Sequence, residues 1–94
     1  MQLTPIASNM TEIETSEARI LFSYRTPVAA YVFGDGFVRT EKWWSVTTSR
    51  HINKWLDGGT AKEVSQTYLD KLVYGVIMRI SNAIFLYILI IILL

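Results

Sequence analysis

The period of apolar and polar positions changes along the chain and marks out its elements. Between Thr11 and Glu17, the residues Thr11, Ile13 and Thr15 alternate with the carboxylates Glu12 and Glu14. That period of two permits a short strand with one wet face. Over the next segment Ala18, Ile20, Phe22 and Tyr24 fall on one side of a strand, with Arg19, Ser23 and Arg25 on the wet side. Pro27 interrupts this run, and Thr26–Pro27 reads as a turn. Val28–Phe33 resumes with β-branched and aromatic residues. Gly34, Asp35 and Gly36 supply the positive-φ positions of a tight hairpin, and Phe37–Arg39 begins the return strand. The pattern predicts a small antiparallel β-meander of three to four strands from about Ala18 to Val46.

After Trp44 the spacing becomes helical. Thr47 and Thr48 suit the N-cap, because a threonine oxygen accepts from the unpaired amides of a first turn. Ile52, Trp55 and Leu56 follow at i, i+3 and i+4 as one apolar stripe, leaving Arg50, Asn53, Lys54 and Asp57 on the wet side. Gly58-Gly59 ends this helix as a left-handed cap or joint. A second helix is expected from about Ser65, with Tyr68, Leu69, Leu72 and Val73 buried. The resulting architecture is α+β: the meander, then two short helices packed on one of its faces. Its core is expected to hold Phe22, Tyr24, Val32, Trp44, Ile52, Trp55, Leu56, Leu69 and Leu72, with Trp44 meeting Trp55 across the sheet–helix junction.

From Val76 to Leu94 the periodicity is lost, since 16 of 19 residues are apolar and Arg79 is the only charge. The chain divides into a small soluble domain over residues 1–75 and a hydrophobic, helical C-terminal tail over 76–94. Nineteen helical residues reach roughly 28 Å, close to the ~30 Å hydrocarbon core of a bilayer. One reading of the tail is a membrane anchor, with Arg79 snorkelling to the headgroups and Lys71 flanking them. A second is a helix packed on the domain or on another copy of the chain, giving a homo-oligomer. A third is an incidental extension, because Ile, Leu, Phe, Tyr and Asn dominate AT-rich sequence read past an earlier stop.

Composition narrows the picture. A length of 94 residues allows one small domain, and the absence of cysteine excludes a disulfide framework or thiolate metal site. The formal net charge is +1, and the part before the tail is neutral. The N-terminus lacks the basic and apolar regions of a secretory signal. His51 is the only histidine, which excludes a histidine cluster for a metal; Ser45, Ser49 and Asp57 lie near it in sequence, but packing or capping beside Trp55 is the simpler role. Glu12, Glu14 and Glu17 are most simply solvated charge. The glycine pair at 34 and 36 lacks the lysine and helix of a phosphate loop. Neither cofactor, metal nor enzymatic activity is expected.

The segment from Arg25 to Lys54 differs from the rest. Five basic residues (Arg25, Arg39, Lys42, Arg50, Lys54) stand against Asp35 and Glu41, a local net of +3. Tyr31, Phe33, Phe37, Trp43, Trp44 and Trp55 are interleaved with them. Cations reach phosphates and aromatic faces stack on bases, so segment 25–55 suits single-stranded nucleic acid. Aromatic and arginine side chains serve protein partners equally well. The candidate contacts for either partner are Arg39, Lys42, Trp43, Arg50, Asn53 and Lys54.

Residues 21–31 (LFSYRTPVAAY) and 44–56 (WSVTTSRHINKWL), with 3–11 (LTPIASNMT) and 68–73 (YLDKLV), carry a resemblance over about residues 3 to 73. The chain resembles short uncharacterised proteins encoded by bacteriophages and prophages, which pair a TPVA-bearing strand and a glycine hairpin with a WSxTTSxHINxWL helix start. The resemblance implies no activity. It implies an intracellular protein in the cytoplasm of a bacterial host, at the inner membrane if the tail anchors it. Similar proteins end near the 68–73 helix, so the tail is a departure. The function expected is a non-enzymatic interaction protein binding a host or phage macromolecule. The alternatives are a weak nucleic-acid-binding module and a tail-anchored membrane protein.

Overall fold

The structure, a computed structural model, describes residues 2–80, and the side chains of residues 2–73. Six strands form one sheet: β1 (Gln2–Ala7), β2 (Met10–Glu14), β3 (Ala18–Ser23), β4 (Thr26–Val32), β5 (Gly36–Thr40) and β6 (Lys62–Val64). Helix α1 (Val46–Leu56) lies between β5 and β6, and α2 (Gln66–Ile80) follows β6. The fold is α+β, with more strands than the alternation indicated. Spatial order follows chain order; the first four pairings are antiparallel, and β5 pairs with β6 in parallel. A parallel neighbour requires a crossover, which α1 supplies.

The two unforeseen strands are the two edges. All six residues of β1 are exposed, so no buried face imprints a period on its sequence. Pro5 fits there because an edge strand can lose an amide donor without breaking the sheet. β6 is three residues long, too short for a pattern, and is held by its parallel pairing and by the Glu41 amide, which donates to the Val64 carbonyl at 2.8 Å.

The helices cover opposite faces of the sheet, not one. On the first face Ala18, Ile20, Ala30, Val32 and Val38 pack under Leu69 of α2, with Phe22, Val64, Leu72 and Val73 beside them. On the second, Met10, Leu21, Val28 and Ala29 pack under Ile52 of α1, with Trp55 and Leu56. The reason lies in β3 and β4. Ile20 pairs with Ala30 and Leu21 with Ala29, so adjacent apolar pairs point to opposite sides. Both faces of these central strands then need a cover.

Several local expectations change as well. Ser23, assigned to the wet side, is 2% exposed beneath α1, whereas Tyr24 is 53% exposed. Tyr24 occupies the turn itself at φ 57°, and its amide donates to Asn9 at 2.8 Å. The turn falls at 24–25, ahead of Thr26–Pro27, and buried Pro27 belongs to β4 where the register with β3 shifts after Leu21. Such an irregularity tolerates the missing amide. The N-cap of α1 is Ser45, whose hydroxyl accepts from the Thr48 amide at 3.0 Å. At the far end Asp57 adopts the left-handed conformation, followed by Gly58 at φ 78°. Tyr68 sits largely at the surface, while Ser65 accepts from the Tyr68 amide at the start of α2, as its position suggested. Residues 76–80 continue α2, and the remainder of the tail, with its three readings, lies outside the described residues. No helix among the described residues is long and apolar enough to cross a membrane.

Candidate functional site

The link from β5 to α1 carries Trp43, the most exposed large hydrophobic side chain among the described residues. Chain direction changes sharply there, and hydrogen bonds fix each step. The Thr40 hydroxyl accepts from the Lys42 amide at 3.1 Å, and Ser45 caps the helix. The Trp44 indole N–H donates to Gln66 Oε1 at 3.1 Å. Gln66 in turn donates through Nε2 to the Pro27 carbonyl at 2.7 Å and to Asp70 Oδ1 at 3.1 Å. Both partners of that amide group are therefore used, and the first turn of α2 is tied to β4 and to the link. Lys42 Nζ lies 4.0 Å from the Trp44 ring centroid, within cation–π range. Trp43, between these two anchored residues, remains 70% exposed.

A cleft of about 160 Å³ opens beside the link, with Arg39, Lys42, Trp43 and Trp44 among its walls and Glu41 and Glu63 also contributing. Arg39 Nη1 donates to Asn53 Oδ1 at 3.4 Å, so Asn53 joins the same edge. Of the six residues singled out in the sequence, Arg39, Lys42 and Trp43 line this cleft and Asn53 touches one of its walls. Arg50 and Lys54 do not line it; they are exposed at i and i+4 on α1. Trp44 and Trp55 do not pack as a pair. Trp55 instead donates its indole N–H to Glu12 Oε1 at 3.0 Å and meets Phe37 edge-on at 5.7 Å.

Sequence reasoning missed Gln66, because nothing in a lone glutamine announces that it spans two elements. It also named only Ser45 and Ser49 as serines near His51 and did not foresee Ser23. His51 Nδ1 lies 2.7 Å from Ser23 Oγ, and the same hydroxyl shares a 2.9 Å hydrogen bond with Thr48 Oγ1. The Tyr24 ring flanks the imidazole at 5.9 Å. Ser23 is buried and already bonded to two groups, an arrangement that locks α1 onto β3 and keeps the hydroxyl away from solvent. Among the described residues no group of three or more histidine, cysteine or acidic side chains converges as a metal site.

The model of one family, described as a family of unknown function (DUF8033), matches residues 1–71. No curated protein and no solved structure matches the chain.

Proposed function

The chain belongs to the DUF8033 family, and we propose that it is a non-enzymatic interaction protein that binds a protein partner through the cleft at Arg39, Lys42 and Trp43. The observation that carries this reading is the 70% exposure of Trp43 between two residues whose positions are fixed. An indole left in water contributes little to the fold. Covered by a partner, its apolar area is worth roughly 4–6 kcal/mol gross at ~25 cal/mol per Å² over the 150–250 Å² an aromatic ring buries. Tryptophan and arginine are the residue types that most often dominate interfaces. Here the residues on both sides of Trp43 are anchored by hydrogen bonds, so little backbone entropy is lost on docking.

Several features favour protein over nucleic acid. Glu41 and Glu63 line the same cleft as Arg39 and Lys42, and the residues before the tail carry no net charge. A phosphate backbone gains little from such a balance. The similarity to phage-encoded proteins makes a host or phage macromolecule the partner to seek, inside a bacterial cell. The nucleic-acid reading keeps one specific support, the exposed pair Arg50 and Lys54 on α1. Membrane association rests on the composition of residues 76–94.

Affinity capture of the full chain from the bacterium that carries its gene tests the proposal. The expected result is one dominant protein that nuclease does not release and that Trp43→Ala loses at unchanged melting temperature. Release by nuclease, with weakened and less salt-dependent binding in Arg50→Ala/Lys54→Ala, supports nucleic acid instead. Full retention of the partner by Trp43→Ala removes the cleft from the account.

A further inference from the structure

A second surface, built from different residues, lies at the carboxyl end of α1. One row runs across the sheet on the α1 side, because Glu14 pairs with Arg19, Arg19 with Tyr31 and Tyr31 with Phe37. Tyr31 and Phe37 approach to 4.7 Å between ring centroids. Phe33, from the hairpin, reaches Tyr31 at 5.9 Å, and Trp55, from the last turn of α1, reaches Phe37 at 5.7 Å. Four aromatic rings, from β4, the hairpin turn, β5 and α1, therefore form one contiguous cluster. It is incompletely covered: Phe33 is 44% exposed and Phe37 38%.

The charge around this cluster differs from that at the cleft. Glu12 is fixed against the indole of Trp55, and Glu14 continues the cross-sheet row toward Gln2 of the edge strand. Asp35 sits in the hairpin between Phe33 and Phe37, and Asp57 caps α1 just after Trp55. The carbonyl end of a helix adds a further partial negative charge. Against these four carboxylates stand three cations: Arg19 and Lys54 on the same elements, and Lys62, which lines a cleft with Asp35 and Phe37. Aromatic faces are themselves electron-rich and attract cations. One cation already uses the cluster, since the Arg19 guanidinium lies 5.2 Å from the Tyr31 centroid.

We infer that this aromatic row is a docking site for a basic, arginine- or lysine-bearing segment of a protein partner. The internal Arg19–Tyr31 contact shows the geometry such a side chain would repeat on the exposed rings of Phe33 and Phe37. The flanking carboxylates Glu14 and Asp35 would pair with the neighbouring cations of the segment. A nucleic acid would bring bases suited to the rings but phosphates facing four carboxylates, so the charge pattern selects against it. This inference does not depend on the cleft at Trp43, and the two surfaces can fail separately.

The test is fluorescence anisotropy of the full chain with three labelled probes: a nonapeptide alternating arginine and serine, its glutamate counterpart, and a nine-residue oligothymidine. The arginine peptide is expected to bind and the other two not to. Its Kd should rise at least about ten-fold in Phe37→Ala and in the exposed double variant Glu14→Gln/Asp35→Asn, and stay unchanged in Trp43→Ala. The double variant alters no core contact, so it decides the question even if Phe37→Ala unfolds. Absence of arginine-peptide binding, binding unaffected by either substitution set, or preferential binding of oligothymidine or the glutamate peptide overturns the inference. Loss of arginine-peptide binding in Trp43→Ala would reassign the site to the cleft.

Discussion

Ser23 shows how a single side chain changes meaning between sequence and structure. In the alternation of β3 it occupies a polar position opposite Ile20 and Phe22, which reads as solvated. Its face is instead covered by α1, where Thr48 and His51, 25 and 28 residues distant, meet its hydroxyl. Alternation reports which residues share a face; it does not report whether that face is covered. Ser23→Ala is therefore expected to destabilise the fold by about 1–3 kcal/mol, the cost of leaving buried polar partners unsatisfied. Chemical denaturation reads this as a lower midpoint at unchanged slope. A substitution without effect would mean that water replaces the hydroxyl. Tyr24 is the complementary case. Its place on the apolar side of the strand suggested core, yet a backbone at φ 57° puts it in the turn, a conformation that sequence seldom signals for an aromatic residue.

At the scale of elements, the sequence was readable where a buried face imposes a period. The three central strands, the glycine hairpin, the stripe of Ile52, Trp55 and Leu56, and the start of α2 near Ser65 all follow from such periods. The edges were not readable. β1 has no buried residue, and β6 has too few residues to display a pattern. The cap of α1 was misplaced for a related reason. Ser45, Thr47 and Thr48 are chemically similar, and only the buried position of the Thr48 side chain assigns it to the sheet while Ser45 closes the helix. Ser45→Ala should thus lower stability by about 1 kcal/mol, the usual cost of losing an N-cap hydroxyl. A shift in melting temperature checks it, and Thr47→Ala serves as the comparison expected to stay near wild type.

For the whole molecule, the arrangement of both helices on one face was the main error, and its correction bears on function. With α2 on one side and α1 on the other, the central strands are covered on both faces. Two accessible aromatic surfaces flank α1. The cleft with Trp43 lies at its amino end and the aromatic row with Phe37 at its carboxyl end. The run of mixed basic and aromatic residues between Arg25 and Lys54 is thus split in space into a surface bearing Arg39 and Lys42 and a surface where Glu12, Glu14, Asp35 and Asp57 outnumber the cations. Four of the six candidate contacts gather at the first surface because β5 ends where α1 begins. Arg50 and Lys54 could not be excluded from it by spacing alone, since on an exposed helix every polar side looks alike.

Photo-crosslinking in the cells that carry the gene tests the central claim most directly. A benzoylphenylalanine replaces Val46, 58% exposed at the start of α1, or, as the comparison, Leu3, 62% exposed on the edge strand. The account predicts one discrete protein adduct from position 46 that resists nuclease, is absent from position 3, and disappears when Trp43→Ala is added. The same adducts from both positions, a nucleic-acid adduct, or an adduct indifferent to Trp43 would contradict it.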